Sequence, residues 1–100
     1  EMEQEQRRIA RIGEAHHFID LATKQETEDG NPVVGAKHYI TAMELVMSAI
    51  EGMEYSNSKA EAYFLFQCRQ KLEDYYERAK LLLSIAVDEG LDIDIEDCMP

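Results

Sequence analysis

With 100 residues, of which 45% are hydrophobic and 31% charged, the chain has room for one domain with its own core and the composition of a folded protein. Its formal charge of −11 opposes nucleic-acid binding, which relies on Lys and Arg neutralising phosphates, and opposes docking on anionic lipid. No apolar run approaches the ~20 residues that cross a bilayer, and the polar opening from Glu1 to Arg8 lacks the apolar centre of a secretory signal. A soluble, cytoplasmic protein without membrane insertion is the expectation.

Apolar residues recur from Ile9 through Ile12, Ala15, Phe18 and Ile19 to Ala22, mostly three or four positions apart, which predicts a first helix over residues 3–28. Asp29-Gly30-Asn31-Pro32 ends it, with Gly30 expected in a left-handed cap and Pro32 unable to continue the same helix. Asn31 and Pro32 then suit the N-cap and first turn of a second helix. That helix carries Val33, Ala36, Tyr39, Ile40, Met43, Val46, Met47 and Ile50 at helical spacing. So short a turn makes the two helices antiparallel.

A second break falls at residues 52–58, rich in Gly, Ser and Asn, where Ser58 precedes Glu61 in the order of a capping box. The third helix then presents Ala62, Leu65, Phe66, Leu72, Tyr76, Ala79, Leu83 and Ala86 as its main stripe, widened by Phe64, Cys68, Tyr75 and Leu82, and ends near residue 88 before Gly90. The fold class is therefore all-α, an antiparallel three-helix bundle over residues 3–88. Residues 89–100 form an acidic tail or linker. Six of the last thirteen residues are acidic and none is basic, leaving −5 on residues 1–87, and Leu91 to Asp97 alternates apolar and acidic side chains with the period of a strand. Because the chain opens on Glu1 without an initiator methionine, we expect a piece of a longer protein.

Candidate chemistry is sparse. Glu14-Ala15-His16-His17 has the Glu-x-x-His spacing of di-iron bundles, but His38 has Gly35 where its carboxylate partner would stand, so the second pair is missing. Cys68 and Cys98 are too few and too far apart for a disulfide framework or a zinc site and read as free thiols. No phosphate-binding loop or nucleophile elbow occurs. We expect no catalysis, no metal and no cofactor. What remains is methionine and tyrosine in excess of what a narrow bundle seam buries, suited to line a groove that receives a partner's helix.

Several segments in order resemble the MIT (microtubule interacting and trafficking) domain. They are Ile19-Asp20-Leu21-Ala22-Thr23-Lys24, Glu28-Asp29-Gly30-Asn31, the pair Tyr39 and Ala42, and Lys71-Leu72-Glu73-Asp74-Tyr75-Tyr76-Glu77-Arg78-Ala79-Lys80. The resemblance covers roughly residues 9–86. It implies a monomeric, non-catalytic module that binds C-terminal motifs of ESCRT-III subunits and brings its parent, an ATPase, kinase or protease, to endosomal membranes or the midbody of cytokinesis. The implied peptide-binding residues are Met43, Met47, Leu72, Glu73, Tyr76, Glu77 and Lys80, between helices two and three, with Tyr76 at the position of the family's groove leucine. An alternative groove between helices one and three would use Ala15, Phe18 and Ala22. Three departures stand out: Lys80 where the family carries glutamate, Pro32-Val33-Val34-Gly35 where it carries Tyr-Glu-Glu-Ala, and a longer second loop. Without the resemblance, the same pattern fits a purely structural bundle used for dimerisation or scaffolding.

Overall fold

The computed structural model describes residues 2–93 and contains three α-helices: α1 (Met2–Lys24), α2 (Pro32–Ile50) and α3 (Lys59–Asp88). A short 3-10 turn, Met53–Tyr55, lies between α2 and α3. No strand occurs among the described residues, and Leu91 to Ile93 take no regular structure. Asp94 to Asp97 of the alternating tail, and Cys98, lie outside the described residues.

α1 stops four residues earlier than its periodicity suggests. The Thr23 hydroxyl donates back to the Asp20 carbonyl (2.9 Å), and Gln25 and Glu26 N–H close tighter bonds on Ala22 (3.0 Å) and Thr23 (3.1 Å), so the last turn winds down before Glu28. Gln25 then organises the reversal by accepting the Asn31 N–H on its side-chain oxygen at 2.8 Å. Gly30 is not left-handed, since positive φ among the described residues occurs only at Gly52 and Gly90. Its requirement is steric instead: a Cβ there would sit 2.0 Å from the Gln25 carbonyl oxygen.

Asn31 caps α2 as its sequence suggests, its Oδ1 accepting from Val33 N–H (2.9 Å) and Val34 N–H (3.3 Å) with Pro32 in the first turn. At the other end α2 has no basic residue of its own in the last turn. α1 supplies that charge: Arg8 Nε donates to the Ala49 carbonyl (3.1 Å) and Arg11 Nη1 to the Ser48 carbonyl (3.4 Å). The capping box at α3 is rearranged. Ser58 Oγ accepts the Glu61 N–H at 3.3 Å, but the Glu61 carboxylate accepts from Ser56 Oγ (2.6 Å), which in turn receives the Ser58 N–H (3.1 Å). α3 ends in a Schellman arrangement, with Leu91 N–H on the Ala86 carbonyl at 2.9 Å and Gly90 at φ 73.

α2 is the centre of the bundle, packing on both α1 and α3, whereas α1 and α3 approach one another far less. This one-sided packing narrows the buried face of α3. Leu65, Cys68, Tyr75, Ala79, Leu82 and Ala86 are buried at alternating spacings of three and four, with Leu72 half-buried among them. Ala62, Phe66 and Tyr76, expected on the main stripe, are exposed, and Tyr75 takes the inward place expected of Tyr76. A helix that meets one neighbour buries a seam near two residues in seven, not the broader face of a helix held between two. The core at the seam is rich in small side chains: Ala22, Ala36, Ala42 and Ala86 are buried completely.

Candidate peptide-docking site

Ile40, Met43 and Met47 follow one another at i, i+3 and i+7 on α2, and so share one side of it. Met43 and Ile40 are partly buried against the core, while Met47 remains 41% exposed. On α3, Leu72 is partly buried against the same core and Tyr76, one turn later, is 53% exposed. The register between these helices is fixed by the stacked rings of Tyr39 and Tyr75, with centroids 6.1 Å apart. Counting from that pair along antiparallel axes brings Met43 level with Lys71, next to Leu72, Tyr76 level with His38, and Met47 level with Gln67. Tyr76 and Met47 therefore stand at the two ends of one apolar strip, roughly 13 Å apart at 1.5 Å of rise per residue. Ile40 lies between those ends on the α2 side of the strip. It was legible as part of the α2 stripe, but its level relative to α3 depends on register, which no periodicity reveals.

Glu73, Glu77 and Lys80 are exposed on α3. Lys80 reaches back over the Tyr76 ring, its Nζ 5.2 Å from the centroid and 3.5 Å from Glu77 Oε1. The residues of the alternative groove are placed differently. Ala15 and Ala22 are sealed in the core, and Phe18 lies against His38 of α2, ring centroids 5.8 Å apart, with its neighbour His17 edge-on at 5.7 Å. None of the three lines the cleft between the first halves of α1 and α3.

Between the first halves of α1 and α3 there is nevertheless an apolar cleft of ≈ 650 Å³. Ile9 and Ile12 of α1 and Ala60 and Phe64 of α3 form its walls, Met53 of the 3-10 turn closes it, and Glu5, Arg8 and Glu61 stand at its rim. Arg8 and Glu61 approach at 3.7 Å across it. The Arg8 side chain is held in place by the Ala49 carbonyl, so the same arginine caps α2 and spans the mouth. The periodicity places Ile9, Ile12 and Phe64 on apolar faces, but does not show their meeting with Met53. The one signal was a methionine inside an otherwise polar loop.

At the opposite end lies a polar clasp built on Tyr39, the one large side chain among the described residues that is fully buried. Its hydroxyl donates to the Glu26 carboxylate of the α1–α2 turn and accepts from Arg78 Nη1 of α3 at 3.2 Å, while the guanidinium sits 5.9 Å over its ring. Burial, reinforced by the Glu26 carboxylate, pushes the Tyr39 phenol up to about 12. Burial likewise raises the Tyr75 phenol, helped by Asp74, and the Cys68 thiol, against a smaller opposing pull from Lys71. A raised pKa leaves Cys68 as a packed thiol and not as a thiolate. His16 and His17 are exposed and His38 is half-buried. Among the described residues no group of three or more His, Cys, Asp or Glu side chains is placed to hold a metal ion, and no helix is long and apolar enough to cross a membrane.

No protein-family model matches this chain, and no curated protein or solved structure matches it either.

Proposed function

We propose that this chain is a non-catalytic peptide-docking module of the MIT type. It takes C-terminal motifs of ESCRT-III subunits on the α2–α3 face and thereby recruits a parent protein to endosomal membranes or the midbody. The supporting observation is the apolar strip from Tyr76 through Met43 and Leu72 to Met47, continuous with the core below and open to solvent above. Its length of roughly two helical turns suits the i, i+3/i+4, i+7 anchors of an amphipathic helix. Methionine and tyrosine adapt to such anchors at small cost in side-chain ordering. The test is titration of isotopically labelled protein with ESCRT-III tail peptides. Shifts should centre on Met43, Met47 and Tyr76, and Tyr76→Asp should abolish binding while leaving the helical circular dichroism intact. Unchanged affinity in that variant would remove the α2–α3 face from consideration.

A second reading is supported by the cleft between α1 and α3, whose volume of ≈ 650 Å³ falls within the range of ligand-sized pockets. An extended peptide seated there would insert an apolar side chain between Ile12 and Phe64, and Phe64→Asp would be the variant that destroys binding. Solution mass separates both readings from a scaffold role. An obligate dimer that covers Met47 and Tyr76 supports the scaffold, and a monomer supports docking.

A further inference from the structure

The charges around Tyr76 do not match a face that receives a basic ligand. A cationic side chain arriving beside an exposed tyrosine seeks two partners, the ring face and a nearby carboxylate. Both are taken by the chain itself: Lys80 Nζ lies 5.2 Å from the Tyr76 centroid and 3.5 Å from Glu77 Oε1. Lys80 follows Tyr76 by one turn, and Arg69 precedes it by two turns on the same side of α3. Glu73 and Glu77 are both acidic within a turn of Tyr76, and Glu77 is the one that Lys80 engages.

We infer that Lys80 is the charge selector of the α2–α3 face: its ammonium fills the cation seat between Tyr76 and Glu77, so the face takes an amphipathic helix with an acidic side chain beside its apolar anchor. A helix bearing lysine or arginine there is turned away. The inference rests on the docking reading given above and names the class of partner within it. Lys80 acts at the rim, so it sets preference while the apolar strip sets affinity. Exposed charge pairs change binding by no more than about fivefold each, and less as salt screens them.

The experiment uses ESCRT-III tail peptides in two forms, one with acidic and one with basic residues flanking the anchor leucine, titrated into the labelled chain, Lys80→Gln, Lys80→Glu and Tyr76→Asp. The wild-type chain should prefer the acidic form by about twofold to fivefold at low salt. Lys80→Gln should erase the preference and Lys80→Glu should reverse it, with all three proteins equally folded. Preference unchanged in Lys80→Glu, while Tyr76→Asp still abolishes binding, overturns the selector and leaves the docking face standing. Binding of neither form to the Met43, Met47 and Tyr76 surface overturns the docking reading and the selector with it.

Discussion

At the end of the bundle that carries the α1–α2 turn, small residues let three segments close on one another, whereas at the end that carries the 3-10 turn, large ones hold them apart. Gly35 marks the first condition: a Cβ there would lie 3.0 Å from Leu82 Cδ1 and 3.1 Å from Gln25 Cβ, with Ala22 and Ala36 fully buried nearby. The second is marked by Ile9, Ile12, Met53 and Phe64, which surround the cleft without filling it. Polar side chains follow the same division. The Glu26–Tyr39–Arg78 clasp ties the α1–α2 turn to both α2 and α3 inside the closed end, while Arg8–Glu61 bridges the open end with both partners in contact with water. The stable end and the accessible end are thus separated by the length of α2, so a ligand at one need not disturb the other.

The largest effect that tests this division is truncation of the ring at the centre of the closed end. Tyr39→Ala removes a fully buried aromatic together with the hydroxyl that satisfies Glu26 and Arg78. A loss of about 3–5 kcal/mol in urea-measured stability is expected. A loss near 1 kcal/mol would mean that the closed end is not where stability resides.

The next effect is one of pH, with Tyr39→Phe as its control. In the folded chain the Tyr39 phenol is pushed up to about 12, from 10.0, chiefly by burial, so the fold favours the protonated ring. Below about pH 10 both states hold the proton and the stabilisation is complete. Between about pH 10 and 12 the unfolded chain releases the proton first, so stability falls with rising pH, by on the order of 2 kcal/mol in all. Tyr39→Phe should flatten that decline, leaving a smaller one from Tyr75, which is also raised. An equally steep decline in the variant would assign the alkaline transition to other groups.

Ala79 tests the seam between α2 and α3, where it is buried between Tyr75 and Leu82 on the inward stripe. Ala79→Leu should overpack that seam and cost about 1–3 kcal/mol by thermal or chemical denaturation. No change would place the residue at a yielding surface.

These positions also show what could be read before the structure. The helix breaks and caps were legible because Asn31-Pro32, Ser58 and Gly90 act within a few residues of themselves. Ala79 was legible because it holds its place on any reading of the α3 period. The choice between Tyr75 and Tyr76 was not, because adjacent positions on a helix differ by about 100° and the deciding fact is that α3 packs chiefly on α2. The cleft was illegible for the same reason. Ile9 and Phe64 are 55 positions apart in sequence, and their separation in space depends on how far α1 and α3 splay, a quantity set by the bulk of Met53 and Ile12 and not by any spacing in the chain.

The smallest effect is expected at the open end, and its smallness is the informative part. Ile9 is a large aliphatic side chain on the α1 wall of the cleft and yet 66% exposed. Its removal from water is therefore slight, and the area-based stabilisation of a fully buried isoleucine, roughly 1.5–3 kcal/mol, is mostly absent. Ile9→Lys should change stability by no more than about 0.5 kcal/mol, as surface substitutions away from special contacts do. The same variant narrows the cleft mouth and adds a cation beside Arg8, so any peptide held between α1 and α3 should lose affinity while one on the α2–α3 face keeps it. If Ile9→Lys instead costs as much as a core substitution, the α1 and α3 walls meet in solution, the contrast between the two ends collapses, and the docking reading is left with the strip of Met43, Met47 and Tyr76 alone.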